Sequence, residues 1–185
     1  MTFDEIYCMF QPKIYRYLTN LTSEADAADL TQTVFLKVSQ AFGDFRGEAS
    51  LSTWIYRIAT NTAHDHAASS TVKQNRLEKM ADDASVDEHP DLDSAGTDHE
   101  YIRREMNACI RGVVEQLPEN YRTVLLLSDF EELSNAEIAS VLQISIDTVK
   151  IRLHRGRTAL KKALECQCTF YHDERSNLMC DRKSE

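Results

Sequence analysis

Six basic residues and no acid fall within residues 150–162: Lys150, Arg152, Arg155, Arg157, Lys161 and Lys162. The chain as a whole is acidic, with a net charge of −9. A lone basic stretch in an acidic chain is a localised electrostatic footprint for nucleic acid, not an indiscriminate one. Arg suits bidentate contact with guanine, and Lys suits phosphate. A second set interleaves the aromatics Phe45, Trp54 and Tyr56 with Arg46, Arg57 and Asn61. Stacking surfaces beside hydrogen-bond donors are what unpaired bases need. A third set, Cys166, Cys168, His172 and Cys180, lies within fifteen residues near the end. Soft thiolates with an imidazole suit Zn²⁺ or Cu⁺. A C-x-C pair is less specific than paired C-x-x-C, so an oxidisable thiol pair and a tail without a role stay open as alternatives. The string His64–Asp65–His66 falls at a helix end among small residues and is read as neither a metal site nor a catalytic one. No nucleotide-binding glycine loop, nucleophile elbow or zinc-protease motif occurs, so the chain reads as a non-enzyme that requires no cofactor.

The basic stretch belongs to SNAEIASVLQISIDTVKIRLHRGRTALKKAL, residues 134–164. Ser134 with Glu137 three residues on is a capping box, which pins a helix start. Ile138, Val141 and Leu142 supply that helix's buried face, and Ala139 permits close contact. Gln143 to Ser145 form a tight turn, and Ser145 caps a second helix with Asp147 in its first turn. At about 100° per residue, Val149, Leu153, Leu160 and Leu164 form the back of that helix. Ile151, Arg155, Thr158 and Lys162 form the front, flanked by Arg152 and His154. An apolar back and a basic front suit a recognition helix in a major groove. The alternative is a solvated amphipathic helix with incidental charge. Thr148, Lys150, Ile151, Arg152, His154, Arg155 and Arg157 are the candidate duplex contacts.

The rest of the chain also reads as helical. Five Gly and three Pro in 185 residues are too few for a many-turned β fold. Leu30, Val34, Val38 and Ala41 make one apolar stripe, with Ser23 and Asp26 as its start. Gly43 and Gly47 bracket a break, and a further helix runs from about Ser50 to His66 with Leu51, Ile55, Ile58 and Ala59 on one side. Residues 81–99 are acidic, poor in large apolar residues and contain Pro90 and Gly96, which marks a linker. Residues 71–107 carry five bases against ten acids. A helix over 101–117 ends before Pro118, followed by helices over 119–131, 134–143 and 146–165. With 42% hydrophobic residues the chain builds a core, though each half alone is small. No signal segment and no long apolar run stand out, so the expected location is the cytosol, where the Cys residues stay reduced. Cys8 and Cys109 sit in apolar helical contexts and are expected in the core.

The segment FRGEASLSTWIYRIATNTAHDHA, residues 45–67, resembles regions 2.3–2.4 of bacterial sigma-70 family RNA polymerase sigma factors of the extracytoplasmic-function (ECF) class. The likeness rests on Phe45, Arg46, Gly47, Trp54, Tyr56, Arg57, Ile58, Ala59 and Asn61. DLTQTVFLKV, residues 29–38, resembles region 2.2, and residues 117–164 resemble region 4. The resemblance covers about residues 1–165 and lacks regions 1.1 and 3, as the class does. It implies an all-α protein: region 2 in residues 1–70, an acidic linker and entry helix in 71–107, region 4 in 108–165, and a Cys-rich tail in 166–185. It implies that Asp29, Gln32, Phe35 and Leu36 dock the clamp helices of the polymerase β′ subunit, with the β flap a second polymerase contact. It implies that Phe45, Arg46, Tyr56, Arg57, Asn61 and His64 take the −10 element, with an extruded base whose unstacking costs a few kcal/mol. The residues themselves place Trp54 in the core rather than on DNA. The −35 element falls to the recognition helix. Many relatives continue with Arg or Lys where this chain runs AASS after His66, which removes phosphate contacts and flattens salt dependence. Some ECF factors carry a metal-sensing Cys-rich C-terminus, and many have an anti-sigma partner. The expected function is promoter recruitment of core polymerase with assistance to promoter opening. The alternatives are a dimeric helix-turn-helix regulator that binds operators unaided and, more remotely, a metal-buffering protein.

Overall fold

The computed structural model describes residues 2–77, 110, 112–172 and 178–182. The proposed 81–99 linker, most of the 101–117 helix and Cys109 lie outside the described residues. The first module holds α1 (Phe3–Leu21), α2 (Glu24–Ala41) and α3 (Leu51–Leu77). Each of the first two helices starts at a side-chain cap. Thr2 and Glu5 form a reciprocal capping box at α1, and the Ser23 hydroxyl accepts the Asp26 amide at α2. These caps satisfy amide donors that have no partner inside the helix. A 3₁₀ turn, Phe42–Asp44, ends α2. The chain then reverses through Gly47, whose φ of +73° favours a residue without Cβ.

Helix α3 continues to Leu77, well past the end expected near His66. The stretch AASSTVKQNRL contains neither Gly nor Pro, and its Ala, Lys, Gln and Arg are good helix formers, so nothing in it stops the helix. Ile6, Ile14, Leu18, Val34, Val38, Ile55 and Ala59 are fully buried where the three helices meet. Tyr17 and Tyr56 meet edge to face within this core at 5.3 Å. The Tyr17 hydroxyl bonds Thr60 Oγ1 at 2.8 Å.

The second module holds α4 (Glu119–Leu125), α5 (Asn135–Leu142) and α6 (Ile146–Gln167). Between α4 and α5 the chain widens into a π-helical segment, Leu126–Phe130, rather than the continuous helix expected over 119–131. The Glu131 amide reaches back to the Leu126 carbonyl, five residues away. The expected caps of the helix-turn-helix are present. Ser134 and Glu137 form the reciprocal box at α5. Gln143 takes the left-handed turn conformation at φ 53°, and the Ser145 hydroxyl accepts the Thr148 amide at α6. Val124, Leu125, Leu127, Ile138, Val141 and Val149 are buried between these helices. Gly156 marks their closest approach: a Cβ there would lie 3.3 Å from both Leu125 and Tyr121 side-chain atoms. The buried residues of both modules form one contiguous cluster.

Beyond α6 the tail adds an element that spacing alone did not suggest. Cys168–His172 and Leu178–Arg182 pair as an antiparallel two-stranded hairpin, β1 and β2. Thr, Phe and Tyr in CTFYH are strand formers, but five residues are too short for period-2 patterning to stand out. The architecture is all-α with this small hairpin appended.

Candidate nucleic-acid and polymerase interface

The recognition helix α6 presents the front that its sequence dictates. Val149 and Leu153 are buried at its back. Lys150, Ile151, His154 and Arg155 are exposed on the other side, and Ile151 is 51% accessible. Thr148 and Arg152 are half-buried at the edges. Lys150 lies 3.7 Å from Asp147, an exposed pair that contributes little and yields easily to phosphate. Arg157 differs from the expectation. Its Nη2 sits 2.6 Å from Asp129 Oδ1 and 3.2 Å from Ser128 Oγ. The hydrogen bond to the Asp129 carboxylate pushes the Arg157 guanidinium above its ordinary pKa. In this arrangement the Arg157 side chain ties α6 to the π segment while remaining exposed.

On α2, Asp29, Gln32 and Leu36 form an outward face, and Leu36 is 59% accessible. Phe35 does not belong to it. Phe35 is 3% accessible, four residues after the buried Thr31, and meets Tyr7 edge-on at 4.9 Å. One step of about 100° from Leu36 carries it round to the core, so it holds α2 on α1 and cannot face a partner. The expected apolar burial of Cys8 also fails: Cys8 is exposed on α1.

The residues assigned to the −10 element cluster at the start of α3 and the loop before it. Phe45 packs on Trp54 with ring centroids 5.0 Å apart. Both are half-buried, so Trp54 is partly core, as its spacing from Ile58 suggested. Arg46 and Asn61 are exposed and Arg57 is half-buried. His64 is exposed and lies 3.3 Å from Glu119 of α4. Tyr56 is different: it is 2% accessible. Its hydroxyl donates to Glu131 Oε2. Burial first, then this carboxylate, pushes the Tyr56 phenol far above its ordinary pKa. In this arrangement Tyr56 is unavailable to a base.

Glu131 was not among the residues that local spacing singles out. Its side chain is 2% accessible and also accepts from Arg16 Nη2, at 3.0 Å to Oε1 and 3.1 Å to Oε2. Ser50 Oγ reaches Glu137 Oε1 at 3.5 Å nearby. The Glu137 carboxyl is held below the ordinary glutamate range, chiefly by the Ser134 amide and then by its hydroxyl.

In the tail, strand pairing sets Phe170 opposite Cys180, Cys168 opposite Arg182 and His172 opposite Leu178. Cys168 is buried, and Cys166 is exposed on the last turn of α6. Among the described residues no three His, Cys, Asp or Glu side chains gather around one point. Among them also, no helix is long and apolar enough to cross a membrane.

Residues 6–71 match the family described as Sigma-70 region 2, and residues 107–160 match Sigma-70, region 4. RNA polymerase sigma-H factor of Pseudomonas aeruginosa is 36% identical over 166 residues, covering 88% of this chain and 86% of that protein. RNA polymerase sigma factor SigZ of Bacillus subtilis is 29% identical over 180 residues, covering 97% of this chain and 96% of that protein. The SigZ match therefore extends into the segment after Glu165. Two solved structures share the fold. The sigma factor RpoE in complex with the anti-sigma factor NepR from Bartonella quintana has a TM-score of 0.66 and 19% identity, covering 88% of this chain and 96% of that one. CnrH in complex with the cytosolic domain of CnrY has a TM-score of 0.63 and 20% identity, covering 89% and 88%. With both modules matched, and the helix-turn-helix and aromatic–arginine cluster in place, this chain belongs to the sigma-70 family as an ECF RNA polymerase sigma factor, a promoter-specific transcription initiation factor.

Proposed function

We propose that this sigma factor uses three faces in turn. The α2 face around Asp29, Gln32 and Leu36 docks the clamp helices of the polymerase β′ subunit, while the second module meets the β flap. Arg46, Arg57, Asn61 and His64, with Phe45 as a stacking platform, take the −10 element as its strands separate. The front of α6 takes the −35 element as duplex. The observation that carries this reading is α6 itself: two side-chain caps fix the turn, Val149 and Leu153 anchor the back, and four large side chains are exposed on the front. Run-off transcription with purified core polymerase on a promoter library tests it. Start sites should share sequence at both elements, and core polymerase should co-purify with the chain. A dimeric operator-binding regulator would instead bind duplex DNA tightly without polymerase.

A protein inhibitor is a further proposed partner, supported by the fold shared with RpoE, which was solved with an anti-sigma factor. We also propose Zn²⁺ or Cu⁺ binding, or thiol oxidation, in the tail through Cys166, Cys168, His172 and Cys180. The hairpin supports this by pairing the two strands that carry Cys168, His172 and Cys180. Because β1 follows α6 directly, a change there is passed to the recognition helix. Run-off assays with and without Zn²⁺, Cu²⁺ and reductant, on the wild type and on a Cys166/Cys168/Cys180→Ser variant, test it. Unchanged metal content and an unchanged response would remove the tail from regulation.

A further inference from the structure

Three consecutive residues of α2 meet three different surroundings. At about 100° per residue, Phe35, Leu36 and Lys37 point in directions spread over about 200° of the helix. Phe35 turns to Tyr7 of α1, with ring centroids 4.9 Å apart. Leu36 faces solvent on the proposed polymerase face. Lys37 turns the other way, to α3, and its Nζ donates to Thr62 Oγ1 at 3.0 Å. Lys37 therefore lies along the seam between α2 and the helix that carries most of the proposed −10 residues.

Thr62 is 4% accessible and follows Asn61 directly on α3. Thr31, Thr33 and Thr60 return their hydroxyls to the carbonyl four residues back, whereas Thr62 holds the ammonium of Lys37. Lys37 itself is exposed: its stem covers the buried hydroxyl while its charged head stays at the surface. An ammonium has three donors, and the hydrogen bond to Thr62 uses one. Among the described residues no carboxylate pairs with Lys37. A cation placed in this way is positioned without being neutralised.

That position supplies what α3 lacks. From Phe45 to Val72 the only Lys or Arg residues are Arg46 and Arg57. The −10 reading has this surface hold several unpaired nucleotides, each with a phosphate, and two cations answer little of that charge. We propose that Lys37 is a further promoter-contacting residue: seated on Thr62 beside Asn61, its ammonium holds a backbone phosphate of the separated −10 strand. The proposal rests on the −10 reading above. A phosphate contact carries no base information, so Lys37 adds affinity and register but no sequence preference.

The test uses holoenzyme formed from core polymerase and the full-length chain, as wild type, Lys37→Met, Lys37→Arg and Thr62→Val. The probe is a fluorescent fork-junction fragment whose −10 strand is unpaired. Lys37→Met should bind it about two- to fivefold more weakly at physiological ionic strength. It should also lower the slope of log affinity against log salt by about 0.7, equally on fragments with altered −10 bases. Lys37→Arg and Thr62→Val keep the charge and should keep the slope. Replacing phosphates one at a time by methylphosphonate should find one linkage whose neutralisation weakens wild type and leaves Lys37→Met unchanged. Equal slopes for wild type and Lys37→Met would overturn the proposal. So would an equal defect in Thr62→Val, which marks a tie between helices, or a loss of affinity for core polymerase, which marks a polymerase contact. Should Lys37→Met fail to fold, lysine acylation of the wild type, read by mass spectrometry, decides instead. Lys37 should label in the holoenzyme and become protected when the fragment binds; labelling undiminished by DNA overturns the contact. If wild-type holoenzyme does not bind the fragment, the −10 reading fails; if it binds and Lys37→Met matches it, only the Lys37 contact fails.

Discussion

At the scale of single residues, exposure separates the proposed contacts from structural neighbours of the same chemical type. Arg155 and Arg157 are two positions apart on one helix and both exposed, yet Arg157 already pairs with Asp129. Arg155→Ala should cost about 1–3 kcal/mol of −35 binding and relax sequence preference there, as competition with mutated promoters would show. Lys150→Ala should weaken binding evenly across sequences and lower the salt slope by about 1. Arg157→Ala should instead lower the melting temperature, since Asp129 loses its partner. Leu36→Asp should reduce affinity for core polymerase while leaving thermal stability unchanged, because the side chain already faces water. Phe35→Ala should do the reverse, costing about 3–5 kcal/mol of stability. Glu137 gives a pH handle. Its folded pKa is depressed, so the stability it adds is present above the ordinary glutamate range and lost as pH falls through the lower folded value. Ser134→Ala removes the hydroxyl, the second cause, and keeps the backbone amide, so NMR titration of Glu137 should move only part of the way back up.

At the scale of elements, the helix starts were legible and the long-range pairs were not. Ser23, Ser134 and Ser145 each cap the helix that their local spacing announced. Such signals span three or four residues and need no tertiary partner. Phe35 was misplaced because its neighbour Leu36 carries the outward face and the two are adjacent in sequence. The apolar spacing that announces α3 stops near His66, although none of the residues that follow breaks a helix. Arg16 and Glu131 gave no local signal: each reads as a solvated charge, and 115 residues separate them. Gly156 also looked incidental, yet it sits where α6 crosses Tyr121 and Leu125 of α4 at 3.3 Å. Glycine in a helix interior costs about 1 kcal/mol relative to alanine, so its presence marks a steric demand. Gly156→Leu should force the helices apart and cost about 1–3 kcal/mol, seen as a lower melting temperature of the second module.

At the scale of the whole molecule, two modules with complementary buried faces are joined by a chain long enough to let them separate. Deleting residues 81–99 leaves 13 residues between Leu77 and Ile110, a reach of about 45 Å. That deletion should abolish promoter-directed initiation while preserving polymerase binding through α2, which pull-down and run-off assays distinguish. The contacts of Glu131 to Arg16 and Tyr56 depend on how the chain winds between Leu126 and Phe130. A π segment carries one residue more per turn than an α-helix, so position 131 occupies the direction that 130 would otherwise hold. Excising one residue from this segment would restore ordinary winding and leave the Glu131 carboxylate pointing as it does now, whereas ordinary winding at the present length would turn it away from Arg16 and Tyr56. Loss of one codon there is thus a change that descendants of this gene could absorb without losing the Glu131 contacts to Arg16 and Tyr56.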